Sequence, residues 1–489
     1  MKNFDKLFYP GSIAVIGASE ANPKWGSLII TNILDGGFKG PVYPVSSTHD
    51  TVYGLKAFKS ILEIPGPVDL VFVATPANTV MEILRECVTK GIRDVVVISS
   101  GFSETGSKGA LLEKQIIKFA ANHSMNIVGP NTMGMSNLHW NLHGTGAYLR
   151  PNPGGISIIA QSGNIGSQIM IWAEKEKIGI SKFVGSGNEA VLKVEDYLEY
   201  FNRDENTSVI LMYLEGVDDG RKFLDIAKNA CFNKPVIALK AGRTEGGGRA
   251  AQSHTGAMAG SFQVFESGMK QAGITVAMNP TELLELAAVF DCFPLPGGNR
   301  IGIITLGGGW GVITADECEE RGLCIPPLPD NIKKIFDAKL PPFWSRANPV
   351  DLVGHFDYTL FNEAIEAMIS SDEYDALIVL GLLGVVKFGI EFGNAAYRMG
   401  FLSEEQFRLN EGLSREVDTK ILDMILEMMN KYNKPIYPVS FASYPEDETM
   451  YIKSGSKYKV IVYKAPELAV LCLSKQYLYS NYLQTHRLR

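Results

Sequence analysis

At 489 residues, with 46% hydrophobic and 20% charged residues, the chain has the make-up of a globular protein too long for one core; domains of ~100–200 residues predict three. Its formal net charge of -7 leaves no basic surplus to neutralise phosphates, which argues against a nucleic-acid partner. The six cysteines are scattered without a CxxC pair, so no metal ligands are expected, and neither an apolar leader nor a run of ~18 apolar residues occurs, which predicts a cytoplasmic protein with no membrane attachment.

In chain order, SIAVIGAS (12–19) reads as a buried strand entering a small-residue turn. KWGSLIITNILDGG (24–37) follows as a helix with Leu28, Ile29, Ile33 and Leu34 inward. Strands PVYPV (41–45), VDLVFVATP (68–76), DVVVISS (94–100) and MNIVGP (125–130) alternate with helices near 78–90 and 108–122. That alternation predicts a parallel sheet covered on both faces, over residues 1–145, with its ligand beyond the carboxyl ends of the strands. The dinucleotide signature is missing, because Gly17 stands alone until Gly26 and the second strand ends in Val45, Ser46 and Ser47 with no acid. A generic nucleotide-like ligand fits better than NAD. Gly17 and Gly26 also fit a reading as plain tight-turn residues.

PNPGG (151–155) is a breaker cluster that opens a second region, 146–293. GISIIAQSG (155–163) is a strand and NIGSQIMIWAEKEKIG (164–179) a helix, so Ser162, Gly163 and Asn164 offer free backbone N–H groups and a positive helix end to an anion. TSVILMYLEG (207–216) ends in Glu215, which either holds an imidazole in one tautomer or is a solvated acid at a strand end. KPVIALKAG (234–242) leads into a loop whose glycines Gly246, Gly247 and Gly248 predict mobility. That loop carries RAAQSHTGAMAGS (249–261), where small residues flank His254 on both sides. His254 is a candidate nucleophile, or a hydrogen-bonded histidine in a Gly-rich surface loop.

PLPGGNR (294–300) opens a third region, 298–489. RIGIITLGGGWG (300–311) repeats the strand, glycine run and helix, so Gly308 and Gly309 are a second candidate anion site. DALIVLGLLG (375–384) and PIYPVSF (435–441) are further strands, 391–432 is a polar helical insertion, and 465–483 is a closing helix.

Along almost its whole length the chain resembles the α subunit of NDP-forming (ADP-forming) acyl-CoA synthetases, in the succinyl-CoA synthetase superfamily. SIAVIGAS (12–19), GPVYPV (40–45), SSGFSETG (99–106), GPNTMG (129–134), QSGNIG (161–166), YLEG (213–216), KAGRTEGGGRAAQSHTGAMAGS (240–261), GGGWG (307–311) and ANPVDLVG (347–354) carry the likeness, SHTG most specifically. The resemblance implies an α/β fold of three doubly wound domains, a Rossmann-like CoA-binding domain followed by two flavodoxin-like ligase domains. It implies coenzyme A at Gly17, Ala18, Ser19, Lys24, Val45, Ser46, Thr75, Pro76, Ser100, Gly101 and Asn131. It implies phosphorylation of His254, oriented by Glu215, with phosphate held at Ser162, Gly163, Asn164, Gly308 and Gly309. It also implies a separate ATP-grasp β subunit carrying ADP or ATP with Mg2+, in an α2β2 assembly acting on a small carboxylic acid or its acyl-CoA.

The chain departs from the family at Ser46-Ser47, where relatives often carry Asn-Pro, at Val191, where an Asp is common, and at Leu306 and Trp310 in the third-region glycine run. Trp310 either shapes an acyl pocket or packs. A catalytically silent CoA-binding regulatory protein is the alternative; it would predict a damaged SHTG loop, and the loop is intact.

Overall fold

Runs of Val, Ile and Leu with no polar face fold stably only as interior strands covered on both sides. The computed structural model describes residues 3–21, 23–249, 262–355, 357–440 and 450–487, apart from the side chains of 385–389, 409–415 and 487. It divides into two compact units, 1–287 and 288–489. The α/β architecture is as expected: three main sheets built on parallel strands and flanked by helices, the second extended by an antiparallel hairpin.

In the first sheet the spatial order is Val42–Val45, Ile13–Ile16, Leu70–Val73, Asp94–Val97 and Asn126–Val128, all parallel. The winding reverses between Ile13–Ile16 and Leu70–Val73, which opens a crevice at their carboxyl ends. The helix Trp25–Asp35 enters that crevice, but its buried face differs from the expected one. Gly26, Ser27, Ile29, Ile30, Asn32 and Ile33 are buried, while Leu28 and Leu34 are only half-buried. The cause is close backbone approach: a Cβ on Gly26 would stand 1.9 Å from the Gly17 carbonyl oxygen. The helix must therefore present its smallest residues to the strand turn, which rotates the apolar stripe. Asn32 is turned inward with them, and its amide donates to the carbonyls of Thr145 and Ala147 at 2.7 and 3.0 Å.

The second sheet runs Thr275–Ala277, Val236–Lys240, Val209–Leu214, Pro153–Ala160 and Ile180–Gly185 in parallel. A hairpin of Gly134–Asn137 and Leu142–Thr145 joins it antiparallel through Ile180–Gly185. These two hairpin strands come from the stretch that the sequence reading places at the end of the first region. The helix Gly163–Lys175 buries Gly166, Ile169, Met170 and Ala173, so it leans on the sheet through a glycine and an alanine as well as its large residues.

His143 lies on that hairpin, 7% exposed, and a Cβ on Gly36 would meet its ring at 2.4 Å. Burial, aided by Arg150, lowers its pKa to about 4. A histidine lowered below its unfolded value of ~6.5 binds fewer protons when folded, so its stabilisation is intact above that pH and is lost as pH falls through the folded pKa. Between pH 7 and pH 5 the wild-type chain is expected to lose about 2 kcal/mol more than a His143→Gln variant. Thermal melts of both proteins at the two pH values measure that difference.

In the second unit the order is Val350–Asp351, Ile301–Thr305, Ala376–Leu380 and Ile436–Val439, all parallel. The polar helical stretch is two helices, Val385–Arg398 and Glu404–Tyr432, the second opened by a reciprocal Ser403–Gln406 cap. The closing helix is Pro466–Arg487. Among the described residues no helix is long and apolar enough to cross a membrane. None of the six cysteines is in a disulfide; five are buried and Cys324 is exposed.

Candidate active site

At the carboxyl edge of the first sheet the expected coenzyme A residues are tied to one another by hydrogen bonds. The Val45 carbonyl accepts from the N–H of Gly17 at 3.0 Å and of Ala18 at 3.2 Å. The Val45 side chain itself lies in the core. Gly17 has φ +87, and a Cβ there would meet the Ala74 carbonyl oxygen at 2.6 Å, so only glycine allows the crossing at the crevice. Ser19 and Ser46 are buried; each hydroxyl accepts from a backbone N–H of its own turn, Ala21 and His49 respectively. Lys24 is exposed and caps the helix Trp25–Asp35 in extended conformation without a side-chain cap, leaving first-turn N–H groups for a ligand.

On the neighbouring strand ends, Ser99 donates to the Thr75 carbonyl at 2.5 Å, and its own carbonyl accepts from the Asn131 N–H at 2.9 Å. Pro76 starts the helix Ala77–Thr89. Ser100 is exposed, and Gly101 at φ +108 turns the chain. The sequence reading missed what holds this turn. The Glu104 carboxylate accepts from the N–H groups of Gly101 at 2.5 Å and Phe102 at 3.1 Å, and from the Asn188 amide at 2.6 Å. Burial pushes the Glu104 carboxyl up, but the bonds from Asn188 and the two N–H groups outweigh it and hold it below the usual range. Asn188 also accepts from the Asn131 amide at 3.2 Å, so the GNEAV stretch of the second sheet shapes the edge of the first. Gly187, at its start, has φ +62, and a Cβ there would stand 2.3 Å from the Pro130 carbonyl oxygen.

The second sheet reverses its winding between Pro153–Ala160 and Val209–Leu214, and two of the expected catalytic features meet there. The helix Gly163–Lys175 is capped by Ser162 in extended conformation, with no side-chain cap. Its first-turn N–H groups, from Gly163 and Asn164 onward, have no partner inside the helix. Gly163 is required by space, since a Cβ would stand 2.0 Å from Met133 Cγ. Immediately before it, Gln161 reaches across to the end of the next strand. Its Oε1 accepts from the N–H groups of Glu215 at 2.5 Å and Gly216 at 3.0 Å, and its Nε2 donates to the Gly216 carbonyl at 2.9 Å. Glu215, half-buried, is thus pinned by its backbone to the residue that opens the amide cradle.

Lys240 Nζ donates to the Glu215 carbonyl at 2.7 Å and to the Ala241 carbonyl at 2.6 Å. Burial lowers the Lys240 pKa against the opposing pull of Glu215. The glycine run beyond it begins in a helical turn. Thr244 caps a helical turn over 245–249, its hydroxyl accepting from the Gly247 N–H at 3.1 Å and its carbonyl from the Gly248 N–H at 2.7 Å. His254 itself, within 250–261, lies outside the described residues.

In the second unit, Gly308 and Gly309 are exposed at the start of the helix Gly308–Glu320, capped by Gly307 without a side-chain bond. Asp351, on the adjacent strand, brings a carboxylate oxygen within 2.9 Å of where a Gly308 Cβ would be. Its other oxygen accepts from the Val353 N–H at 2.8 Å. Trp310 is 43% exposed. Among the described residues no cluster of three or more His, Cys, Asp or Glu is placed to hold a metal ion.

Three family models match the chain: a CoA binding domain over residues 11–137, a succinyl-CoA ligase like flavodoxin domain over 153–290, and a Ligase-CoA domain over 301–447. The α subunits of the ADP-forming acetate–CoA ligases II and I of Pyrococcus furiosus are each 38% identical to it. The matches cover 83% and 89% of this chain and 92% and 94% of those subunits. The structure of acetyl-coenzyme A synthetase 1 of Ca. Korarchaeum cryptofilum, in complex with phosphate and ADP, superposes with a TM-score of 0.84 at 31% identity, covering 99% of both chains. The chain belongs to the family of ADP-forming acyl-CoA ligase α subunits.

Proposed function

We propose that this α subunit works with a separate ATP-grasp β subunit, in an α2β2 assembly in the cytoplasm, to interconvert acyl-CoA, phosphate and ADP with a small carboxylic acid, CoA and ATP. Residues 1–145 bind coenzyme A, 146–293 carry the phosphohistidine loop and 298–489 form the second ligase domain. The adenine nucleotide and its Mg2+ belong to the partner, and no step on this chain runs through the metal.

Phosphate attacks the acyl-CoA carbonyl, and the CoA thiolate leaves to give an acyl phosphate. A His254 ring nitrogen then takes the phosphoryl group, releasing the carboxylate, and passes it to ADP. Glu215 orients the imidazole and stabilises its charged form. The amide cradles at Ser162–Asn164 and Gly308–Gly309 neutralise the phosphoryl oxygens, since such transfer needs mainly position and charge stabilisation. The observation that carries the reading is the Gln161 clasp, which fixes Glu215 beside the Ser162–Asn164 helix start. A silent regulatory protein would have no need for that pairing. Incubation with the partner subunit and γ-labelled ATP across a panel of acids tests the reading. Acid-labile label is expected on this chain, discharged only by CoA together with the true acid. Label that never reaches this chain would exclude the phosphohistidine route.

A further inference from the structure

The segment that carries His254 leaves the second sheet after the strand Val236–Lys240, and the chain resumes on the helix Phe262–Gln271. One side chain reaches the residues on both sides of that segment. The paired strands Val209–Leu214 and Val236–Lys240 end in register, Leu214 beside Lys240. One step on, the Ala241 N–H donates to the Leu214 carbonyl at 2.8 Å. The Lys240 ammonium then donates to the next two carbonyls, of Glu215 at 2.7 Å and of Ala241 at 2.6 Å. The same Nζ lies 5.5 Å from the centre of the Phe265 ring, on the returning helix. Lys240 thus joins the Glu215 peptide to the outgoing foot of the segment at Ala241 and to its returning foot at Phe265. Arg243 ties the two feet a second time, its guanidinium 5.9 Å from the Phe262 ring. On the other side, Gln161 holds the N–H groups of Glu215 and Gly216, so this strand end is gripped from both neighbouring strands.

We infer that Lys240 is a positioning residue for the phosphoryl transfer: its ammonium ties Glu215 to both feet of the segment carrying His254 and so sets the acid and the histidine from one point. The inference rests on the proposed roles of His254 and Glu215.

Closing a strand end is a poor account of this residue by itself. Any neutral donor can satisfy two carbonyls, whereas the face of an aromatic ring attracts a cation. Burial lowers the Lys240 pKa, with Glu215 opposing, so the fold keeps a charge here against its own desolvation. That charge stands at the carboxyl edge of a parallel sheet, where such sheets bind their ligands. It is also the one place from which the strand of Glu215 and both ends of the His254 segment are reached together.

The test uses the complex with its partner subunit, well below the melting temperature of each variant. Lys240→Met keeps the length of the side chain but removes the charge and every donor. It is expected to keep KM for CoA and to lower both kcat and the rate of label transfer to His254 about tenfold, as misplacement of reacting groups does. Lys240→Arg, which can still donate to the carbonyls and lie on the ring, is expected to stay within about threefold of wild type. Phe265→Leu, which removes the ring alone, is expected to slow label transfer by less than Lys240→Met does. The double variant of Lys240→Met with Glu215→Gln is expected to be no slower than Glu215→Gln, because the acid to be aligned is already gone. Wild-type label transfer in Lys240→Met, with Glu215→Gln and His254→Ala impaired, would overturn this inference and leave those two roles standing. Equal losses in Lys240→Arg and Lys240→Met, or multiplying losses in the double variant, would also overturn it. Wild-type activity in Glu215→Gln would overturn the role of Glu215 and this inference with it.

Discussion

His254→Ala is expected to abolish turnover, by at least about 10³-fold, while coenzyme A binding survives. No other side chain can stand in as the acceptor, because the phosphoryl group must become covalently attached to a nitrogen that can both take it and give it up. The chain has six other histidines, and none is flanked by small residues on both sides as His254 is. His143 is buried against Gly36, and its lowered pKa marks it as a packed core group. The proposed coenzyme A residues, by contrast, run from Gly17 to Asn131 on the edge of one sheet, and none of them is altered by the substitution. Calorimetric titration with CoA, beside the forward and reverse assays, separates the two effects. A His254→Ala protein that still makes ATP from acyl-CoA would end the phosphohistidine mechanism. Loss of CoA binding together with activity would show that the loop is part of the first site.

Gly26→Ala is expected to raise KM for CoA at least about tenfold while leaving ATP-driven labelling of His254 intact. The added methyl group would sit 1.9 Å from the Gly17 oxygen and 2.7 Å from its carbonyl carbon, both backbone atoms that cannot rotate aside. Gly17 is itself confined by the Ala74 carbonyl, so the turn cannot yield and the helix Trp25–Asp35 must move out instead. That displaces the first-turn N–H groups that the proposed site offers to CoA. Overpacking of this kind costs ~1–3 kcal/mol, so a lower melting temperature is expected alongside. Retained labelling shows that the second sheet is still formed and confines the damage to the first. Wild-type KM in a protein with the lowered melting temperature would mean that coenzyme A does not lie against this turn.

Much of the fold was legible because buried parallel strands announce themselves. IAVI, LVFV and DVVV are apolar runs bounded by turn residues, and each is a fully buried strand at the expected place. The helix starts at Trp25, Ala77, Ser107 and Gly163 were legible to within one residue, lying where small or turn residues meet an amphipathic stretch. The face of the first helix was not. Periodicity ranks residues by hydrophobicity, so it favoured Leu28 and Leu34. The close approach of Gly26 to Gly17 favoured small residues instead, and no count of apolar spacing contains that distance. The hairpin Gly134–Asn137 and Leu142–Thr145 was equally silent, since GMSN and LHGT lack the β-branched run that marks a strand.

By itself the sequence determined the α/β class, the parallel strands, the glycine-lined turns and the family, since each is written in local composition or in an ordered set of short motifs. It also singled out His254 and Glu215 through their chain neighbours. Only the tertiary structure decided which side chains hold those turns in shape. Glu104, Asn188 and Gln161 act on residues up to 85 positions away. Their partners are chosen by which strands lie side by side. An amide or a carboxyl looks like any surface polar group until the fold buries it, and burial then requires every hydrogen bond it can make to be met.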